Sequence, residues 1–406
     1  MKRYFVTLIL IISAATMWGQ GLKTISGKTI DSQSGDKIAF ATVWVQNTEI
    51  SVVSNGDGYF SIKVPDTTFY ISFKQIGYEL LTMKVGSRET IARLNRAPII
   101  IDDIYITGGN PLTLLRDAIF RTRFNYPSDP MSLVGFYREM IQKDKKYVSI
   151  AEVITDIYKS PITQPYDRAK IYKGRRSSDF SRVDTIMMHY QGGISTALAL
   201  DVAKNYENIF LSADSISTYY DLSFGAATQI QGRDQYVVIF TEKDKKDDIY
   251  MFDGKICIDR ENLGISRCEF SCNVAFHPYS YRSYVVKLPT NYKITMNKAN
   301  YIIDYLWDGS KWNYNYSKTD IGMNINAPKR KFTADYNIIS EMVVTDRTKE
   351  NVRKFKTSER IKSTELVFDA VVNYLDPVFW EGFNIIEPER SLESAVKKIN
   401  RRIEIK

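Results

Sequence analysis

Two histidines, His189 and His277, are all that the 406 residues offer. A zinc peptidase centre needs two His and a carboxylate as ligands. Gly192 follows His189 by three and Ser280 follows His277 by three, so neither opens an His-x-x-Glu pair, and metal-dependent peptide hydrolysis is argued against. His277 stands before Pro278 and reads as a turn residue at a strand end. Gly193-Ile194-Ser195-Thr196-Ala197 holds part of a nucleophile-elbow pattern but lacks the final Gly and the strand–helix setting. Gly192-Gly193 reads better as a break before a helix. Glu139 and Glu152 fall on adjacent arms of a predicted hairpin and could face each other, as the paired carboxylates of a glycan hydrolase must. Arg138 beside them favours a cross-strand ion-pair network instead. No catalytic, cofactor-binding or metal-ligating residue is assigned.

Three cysteines, Cys257, Cys268 and Cys272, leave at least one thiol unpaired. Cys268 and Cys272 lie four apart on one predicted strand, roughly 13 Å and too far to bridge. Cys257 and Cys268 occupy opposite arms of a predicted hairpin and pair only if the register brings them together; three buried thiols packing as small hydrophobes is the favoured reading. The remaining candidates are aromatic, in a chain with 27 Tyr and 13% aromatic residues. Tyr301, Tyr305, Trp307, Trp312, Tyr314 and Tyr316 form the densest group and are the candidate ligand-facing residues. At a period of two, Tyr301 shares a face with Tyr305, and Tyr314 shares one with Tyr316. Such ladders stack on sugar rings when exposed, and fill a core or line an apolar groove when buried; core is the default.

The elements that would position these residues are mostly strands. Gly27 to Val85 consists of short β-branched and aromatic runs broken by Gly and Asp, the pattern of a small antiparallel sandwich. Gly56-Asp57-Gly58 supplies the positive φ of a tight reversal. Asn110-Pro111 then opens a helix with a capping residue and Pro in the first turn, its apolar face carrying Leu112, Leu115 and Ile119, and Asn125-Tyr126-Pro127 closes it. From Ser132 long strands follow with short polar turns, which predicts a large antiparallel meander, open or curled into a half-barrel. A short helix is expected over Ile194, Ala197, Leu198 and Val202. The tail ends in a helix capped by Ser391, with Leu392, Ala395, Val396, Ile399 and Ile403 in one apolar stripe and Lys397, Lys398, Arg401 and Arg402 towards its end. The sequence thus divides into 1–20, 21–97, 98–130, 131–375 and 376–406: a leader, a sandwich, a helical linker, a β-rich domain and a tail with an amphipathic helix.

Met1-Lys2-Arg3 followed by the apolar run Tyr4 to Ala15 and Gly19-Gln20-Gly21 reads as an export signal peptide. The formal charge of +8 suits contact with anionic lipid or polysaccharide, although scattered Lys and Arg usually form a solvated surface. Nucleic acid is not an expected partner of an exported chain.

Gly27, Asp31, Ala41, Val43, Asn55-x-Asp57-Gly58-x-Phe60 and Gly77-Tyr78 resemble the carboxypeptidase-regulatory-like domain, which implies a transthyretin-type sandwich without catalytic function. More broadly, Phe136-Tyr137-Arg138-Glu139, Tyr147 to Glu152, Gln191-Gly192-Gly193, Ser340 to Arg347, Asp376 to Trp380 and Asn384 to Pro388 resemble a group of exported Gram-negative envelope proteins. That resemblance implies an address at the periplasm or outer membrane but no reaction, ligand or catalytic residue. The expectation is therefore a mainly β, two-domain, non-enzymatic envelope protein. Its role is binding or scaffolding, as a carrier of an apolar ligand or beside an uptake complex, with peripheral outer-membrane contact. The alternatives are a glycan-binding surface protein and a carboxylate-dependent hydrolase of glycan or lipid.

Overall fold

A computed structural model describes residues 21–86, 89–98, 109–178, 189–190, 193–243, 251–274, 277, 279–287, 290–362, 367–371 and 380–404. The expected leader and the blocks at 191–192 and 376–379 lie outside them.

The N-terminal unit is two facing sheets. One joins β1 (Leu22–Asp31) to β4 (Tyr59–Pro65) and β7 (Thr90–Leu94); the other runs through β3 (Ser51–Val53), β2 (Thr42–Trp44), β5 (Tyr70–Lys74) and β6 (Leu81–Lys84). Ile25, Val43, Val52, Phe60, Ile62, Ile71 and Phe73 fill the space between them. The quoted turn residues have local tasks. Asn55 Oδ1 accepts from the backbone N–H of Asp57 and Tyr59, both at 2.9 Å, and Gly58 adopts φ +79°. A Cβ at Gly58 would lie 2.8 Å from the Thr29 carbonyl, so the reversal needs glycine there. Asp31 accepts from Gln33 N, Ser34 N, Tyr78 OH and Arg96 Nε, which ties the two ends of the sandwich together.

Helix α1 (Pro111–Asn125) follows, with Asn110 Oδ1 accepting from Leu112 N at 2.8 Å and Leu115, Ala118 and Ile119 buried. The second unit is one large curled antiparallel sheet. Its strands are β8 (Met131–Lys143), β9 (Lys146–Lys159), β10 (Arg168–Ser178), β12 (Tyr220–Phe224), β13 (Thr228–Ile230), β14 (Arg233–Glu242), β15 (Phe252–Asp259), β16 (Ile265–Cys272), β18 (Lys293–Trp307), β19 (Trp312–Ala327) and β20 (Phe332–Thr348). They pair in the order β10-β9-β8-β20-β19-β18-β16-β15-β14-β12, with β13 added on β14. The ends β10 and β12 do not meet in this order, so the sheet stays open. A separate pair joins β11 (His189–Tyr190) to β17 (Val285–Lys287). Lys293 to Trp307 form one continuous strand, β18.

Short helices α2 (Ile194–Ala199), α3 (Val202–Asn205), α4 (Glu207–Phe210) and α5 (Ile216–Tyr219) cover the concave face of the sheet, and the largest core cluster lies between. The opposite face receives the sandwich and the tail. There Phe136, Ile154, Tyr316 and Val343 of the sheet pack with Val53 of the sandwich and with Trp380 and Ile386 of the tail. A one-turn helix α6 (Val367–Ala370) and the C-terminal helix α7 (Arg390–Glu404) complete the chain. Leu392 and Val396 of α7 pack on Met140 and Ile150, so α7 docks on the β-rich domain. The side chains from Lys398 onward lie outside the described residues.

Candidate functional site

The concave face holds a cleft of about 480 Å³ between the sheet and the helix layer. That volume lies within the range of natural small-ligand pockets. Phe252 on β15, Phe270 on β16, Tyr301 on β18 and Ile321 on β19 form its floor, and Leu200, Val202 and Ile209 its roof. These floor residues reach one face because the ladder is in register: Phe270 pairs with Tyr301, and Tyr301 with Thr319. The Phe270 and Tyr301 rings stack at 4.7 Å, and Phe252 meets Phe270 edge-on at 5.1 Å. Thr196, Asn205, Asn208, Ser280, Ser283, Tyr284 and Thr319 supply the polar part of the wall. Among the described residues no lining side chain carries a charge at neutral pH. Tyr301 OH donates to Tyr284 OH at 2.7 Å.

The roof is tied to the floor by buried tyrosines. Tyr305 OH donates to Asp201 Oδ1 at 2.7 Å and accepts from Ala203 N at 2.9 Å. Tyr314 OH reaches the Ala197 carbonyl at 2.9 Å, Tyr220 OH the Ile209 carbonyl at 2.7 Å, and Gly193 N donates to Tyr137 OH at 3.1 Å. Asp201 also meets Lys159 Nζ at 2.6 Å, and Lys159 and Lys204 share Asp167 at 2.5 and 2.6 Å. Burial pushes the Tyr305 phenol well above its ordinary value, so it stays a neutral donor.

The six aromatics singled out from the sequence therefore divide. Tyr301 lines the cleft. Tyr305 and Tyr314 hold the helix layer, and Trp312 is fully buried in the same core. Trp307 is half-buried over the Arg233 guanidinium at 4.6 Å, in a second, surface cleft beside Trp44. Tyr316 lies on the far face against Phe40, at 6.1 Å. The expectation that Tyr314 and Tyr316 share a face is corrected. Asp304 pairs with Tyr316 and Tyr305 with Tyr314, so Asn315 is an extra residue in β19 and the alternation changes phase there. Phe252, Phe270, Ser280 and Thr319 were not singled out; alternation of Phe270 with Cys268 and Cys272 on one strand face was the available signal.

Glu139 and Glu152 do not face one another. In the β8–β9 register Glu152 lies opposite Arg138, and Glu139 opposite Ala151. Glu139 points to the concave side, 3.0 Å from Tyr137 OH, and Glu152 to the other side, 2.7 Å from both Arg138 and Arg175. Burial raises the Glu152 carboxyl, but the two guanidinium groups outweigh it and hold it below the ordinary Glu value. All three cysteines are free and buried. Cys257 pairs with Arg267, and Cys268 with Ile256, which puts the two thiols on opposite faces and rules out the Cys257–Cys268 bridge. Burial pushes the Cys257 and Cys272 thiols up to about 12. His277 is fully buried with Nε2 at 3.1 Å from both Glu242 oxygens, and its carbonyl accepts from Ser280 N at 2.9 Å, so the turn residue is also a core residue. Among the described residues no three His, Cys, Asp or Glu side chains group as a metal site.

Behind the cleft, the sheet meets the sandwich through buried polar contacts. Lys74 Nζ lies 3.0 Å from Asp304 Oδ2 and also donates to the Tyr305 carbonyl. Arg267 Nη1 approaches the other Asp304 oxygen at 3.5 Å. Ser51 Oγ donates to the Val344 carbonyl at 2.8 Å, and Arg347 Nη2 donates to Asn315 Oδ1 at 2.9 Å. The tail joins the same junction: Asn384 Oδ1 accepts from Lys63 N at 2.6 Å, and Arg138 donates to the Ile386 carbonyl at 2.7 Å.

The family model of the CarboxypepD_reg-like domain matches residues 25–98. This unit is a carboxypeptidase-regulatory-like domain. The regulatory-like domain covers less than half of the chain, and no curated protein matches the sequence. Among solved structures, a putative outer membrane lipoprotein-sorting protein domain from Vibrio parahaemolyticus matches at 10% identity. It covers 60% of this chain and 95% of that one, with a TM-score of 0.25. A LolA superfamily protein from Nitrosomonas europaea matches at 13% identity, over 63% and 98%, with a TM-score of 0.23. A chain of the MucA/MucB complex of Pseudomonas aeruginosa matches at 10% identity, over 57% and 93%, with a TM-score of 0.19. Scores this low carry no argument about fold or function. No helix among the described residues is long and apolar enough to cross a membrane.

Proposed function

We propose that this is a non-enzymatic, exported envelope protein that holds an apolar ligand between its curled sheet and the helices over it. The observation that carries the reading is the cleft of about 480 Å³ floored by Phe252, Phe270, Tyr301 and Ile321, with no charged side chain among the described residues of its wall. Such a surface gains from removing hydrocarbon from water, about 25 cal/mol per Å² of apolar area. Export is supported by the basic and apolar run at residues 1–15. The regulatory-like domain and the tail serve as a backing that fixes the far face of the sheet. The glycan alternative is weakened, since four of the six aromatics are less than 5% exposed. The hydrolase alternative loses its carboxylate pair, whose members point to opposite faces.

The test uses N-phenyl-1-naphthylamine, whose fluorescence rises in apolar surroundings. Ala199 lies exposed at the end of α2 and lines the cleft. Saturable binding by the wild type and its loss in Ala199→Trp support the reading. Absence of binding, or equal binding by both proteins, overturns it.

A further inference from the structure

Helix α1 hides one side and shows the other. Leu115, Ala118 and Ile119 are buried, but Phe120 and Phe124 are 57% exposed each. Four residues apart, they share a face of the helix, and their rings lie 6.2 Å from one another. The Arg123 guanidinium stands 4.2 Å from the Phe120 ring and 5.8 Å from the Phe124 ring. Arg121, next to Phe120 in the chain, is exposed as well, and Lys311, from the turn between β18 and β19, donates through Nζ to the Phe124 carbonyl. Arg121, Arg123 and Lys311 form no ion pair among the described residues. Asp117 is the one acidic residue of the helix, and Glu261, next to the Asn262 whose carbonyl accepts from Asn125, is already held by Arg233 at 2.9 Å. Scattered exposed apolar residues need no explanation, but here two aromatic rings stand together among unpaired cations. The helix also adjoins the cleft: α1 packs against α3, whose Val202 and Asn205 line the cavity, and Arg116 Nε donates to the Ala213 carbonyl at 3.0 Å.

We infer that this face of α1 is a membrane-docking surface, which lays Phe120 and Phe124 into the acyl boundary of an anionic bilayer and sets Arg121, Arg123 and Lys311 against lipid phosphates. Two chemistries fix the partner. The rings gain by leaving water for hydrocarbon, and the cations gain from the negative potential of anionic lipid. Helices that lie in a membrane interface combine the same two terms, and guanidinium groups match phosphate through paired N–H donors. Docking through α1 brings the roof of the cleft to within about one helix diameter, ~10 Å, of the lipid. The surface therefore suits a protein that exchanges an apolar molecule with a bilayer, but the inference stands on α1 and does not depend on what the cleft holds.

The protein, purified without detergent from the envelope fraction of its own cell, is titrated with vesicles of phosphatidylcholine alone and of equimolar phosphatidylcholine and phosphatidylglycerol, and flotation measures the bound fraction. The expected result is binding to the anionic vesicles, weakened by added salt and much lower on phosphatidylcholine. Phe120→Ser combined with Phe124→Ser should weaken it about tenfold or more. Arg121→Gln combined with Arg123→Gln should weaken it about thirtyfold at low salt, the effect of two cations beside such a surface. All four side chains are exposed, so both variants should unfold at the wild-type denaturant concentration. Absence of wild-type binding to the anionic vesicles, equal binding to both kinds of vesicle, or binding that both variants retain unchanged overturns the inference. None of the four residues lines the cleft, so naphthylamine binding should stay at the wild-type level in both variants. Its failure in the wild type overturns the ligand reading and leaves docking untouched.

Discussion

The two faces of the large sheet are both buried and both carry buried ion pairs, yet only the concave one holds the cleft. The concave face meets its helices through tyrosine hydroxyls and the Lys159–Asp201 and Lys204–Asp167 pairs, and leaves a cleft whose described lining is uncharged. The far face meets the regulatory-like domain and tail through Lys74–Asp304, Arg138–Glu152 and Arg347, all nearly free of solvent. Buried charges tolerate only arrangements that keep every partner in place, so the far face favours one fixed packing. Apolar surface is non-directional and accepts varied occupants. Strand β18 belongs to both faces: Asp304 points to the regulatory-like domain, and the next residue, Tyr305, holds α3.

The sharpest way to break this contrast is to remove one charge from the far face. Asp304→Ala leaves Lys74 without its counter-ion in a site that is 2% exposed, and should destabilise the chain by about 3–5 kcal/mol. Denaturant unfolding monitored by Trp fluorescence measures it, and a change below about 1 kcal/mol would show that the junction is not a locked one. Glu152→Gln, which removes the partner of both Arg138 and Arg175, should cost somewhat less because Arg175 is partly in water. It also carries a pH signature. The folded Glu152 carboxyl sits below its ordinary value of 4.5, so its contribution is complete above that pH and is lost as pH falls through the lowered folded value. The wild type should therefore lose stability faster than Glu152→Gln on acidification below about 4.5. Parallel stability curves for the two proteins would contradict the assignment.

On the concave face the effects should be smaller. Tyr305→Phe leaves Asp201 Oδ1 and Ala203 N short of one partner and should cost about 1–3 kcal/mol. It should also raise amide exchange in α3 before the sheet opens, which hydrogen–deuterium exchange resolves. Thr319→Val is the smallest change and has the opposite sign. It removes a hydroxyl that is buried without a partner, so the apo protein should gain stability by up to about 1 kcal/mol rather than lose it. A clear loss there would mean that Thr319 pairs with something inside the protein.

Local pattern carried much of this architecture. Asn110-Pro111 and Asn55 to Gly58 each encode their element within a few residues, and each forms where the sequence predicts. The C-terminal helix likewise carries its packing residues, Leu392 and Val396, in its own apolar stripe. What local pattern could not carry is register. One inserted residue, Asn315, sends Tyr314 and Tyr316 to opposite faces, and no composition rule signals that bulge. Pairing offset by one likewise separates Glu139 from Glu152 and Cys257 from Cys268. The cleft depends on six segments distant in the chain, so its polar members Ser280 and Thr319 look like ordinary surface residues until the sheet brings them together.

The most direct test of the account is native mass spectrometry of the full chain, purified without detergent from the envelope fraction of its own cell. The account predicts that the wild type carries a lipid-sized mass and that Ala199→Trp, prepared identically, does not. A wild type that arrives as the bare polypeptide, or the same extra mass on both proteins, would contradict an apolar ligand held in the concave cleft.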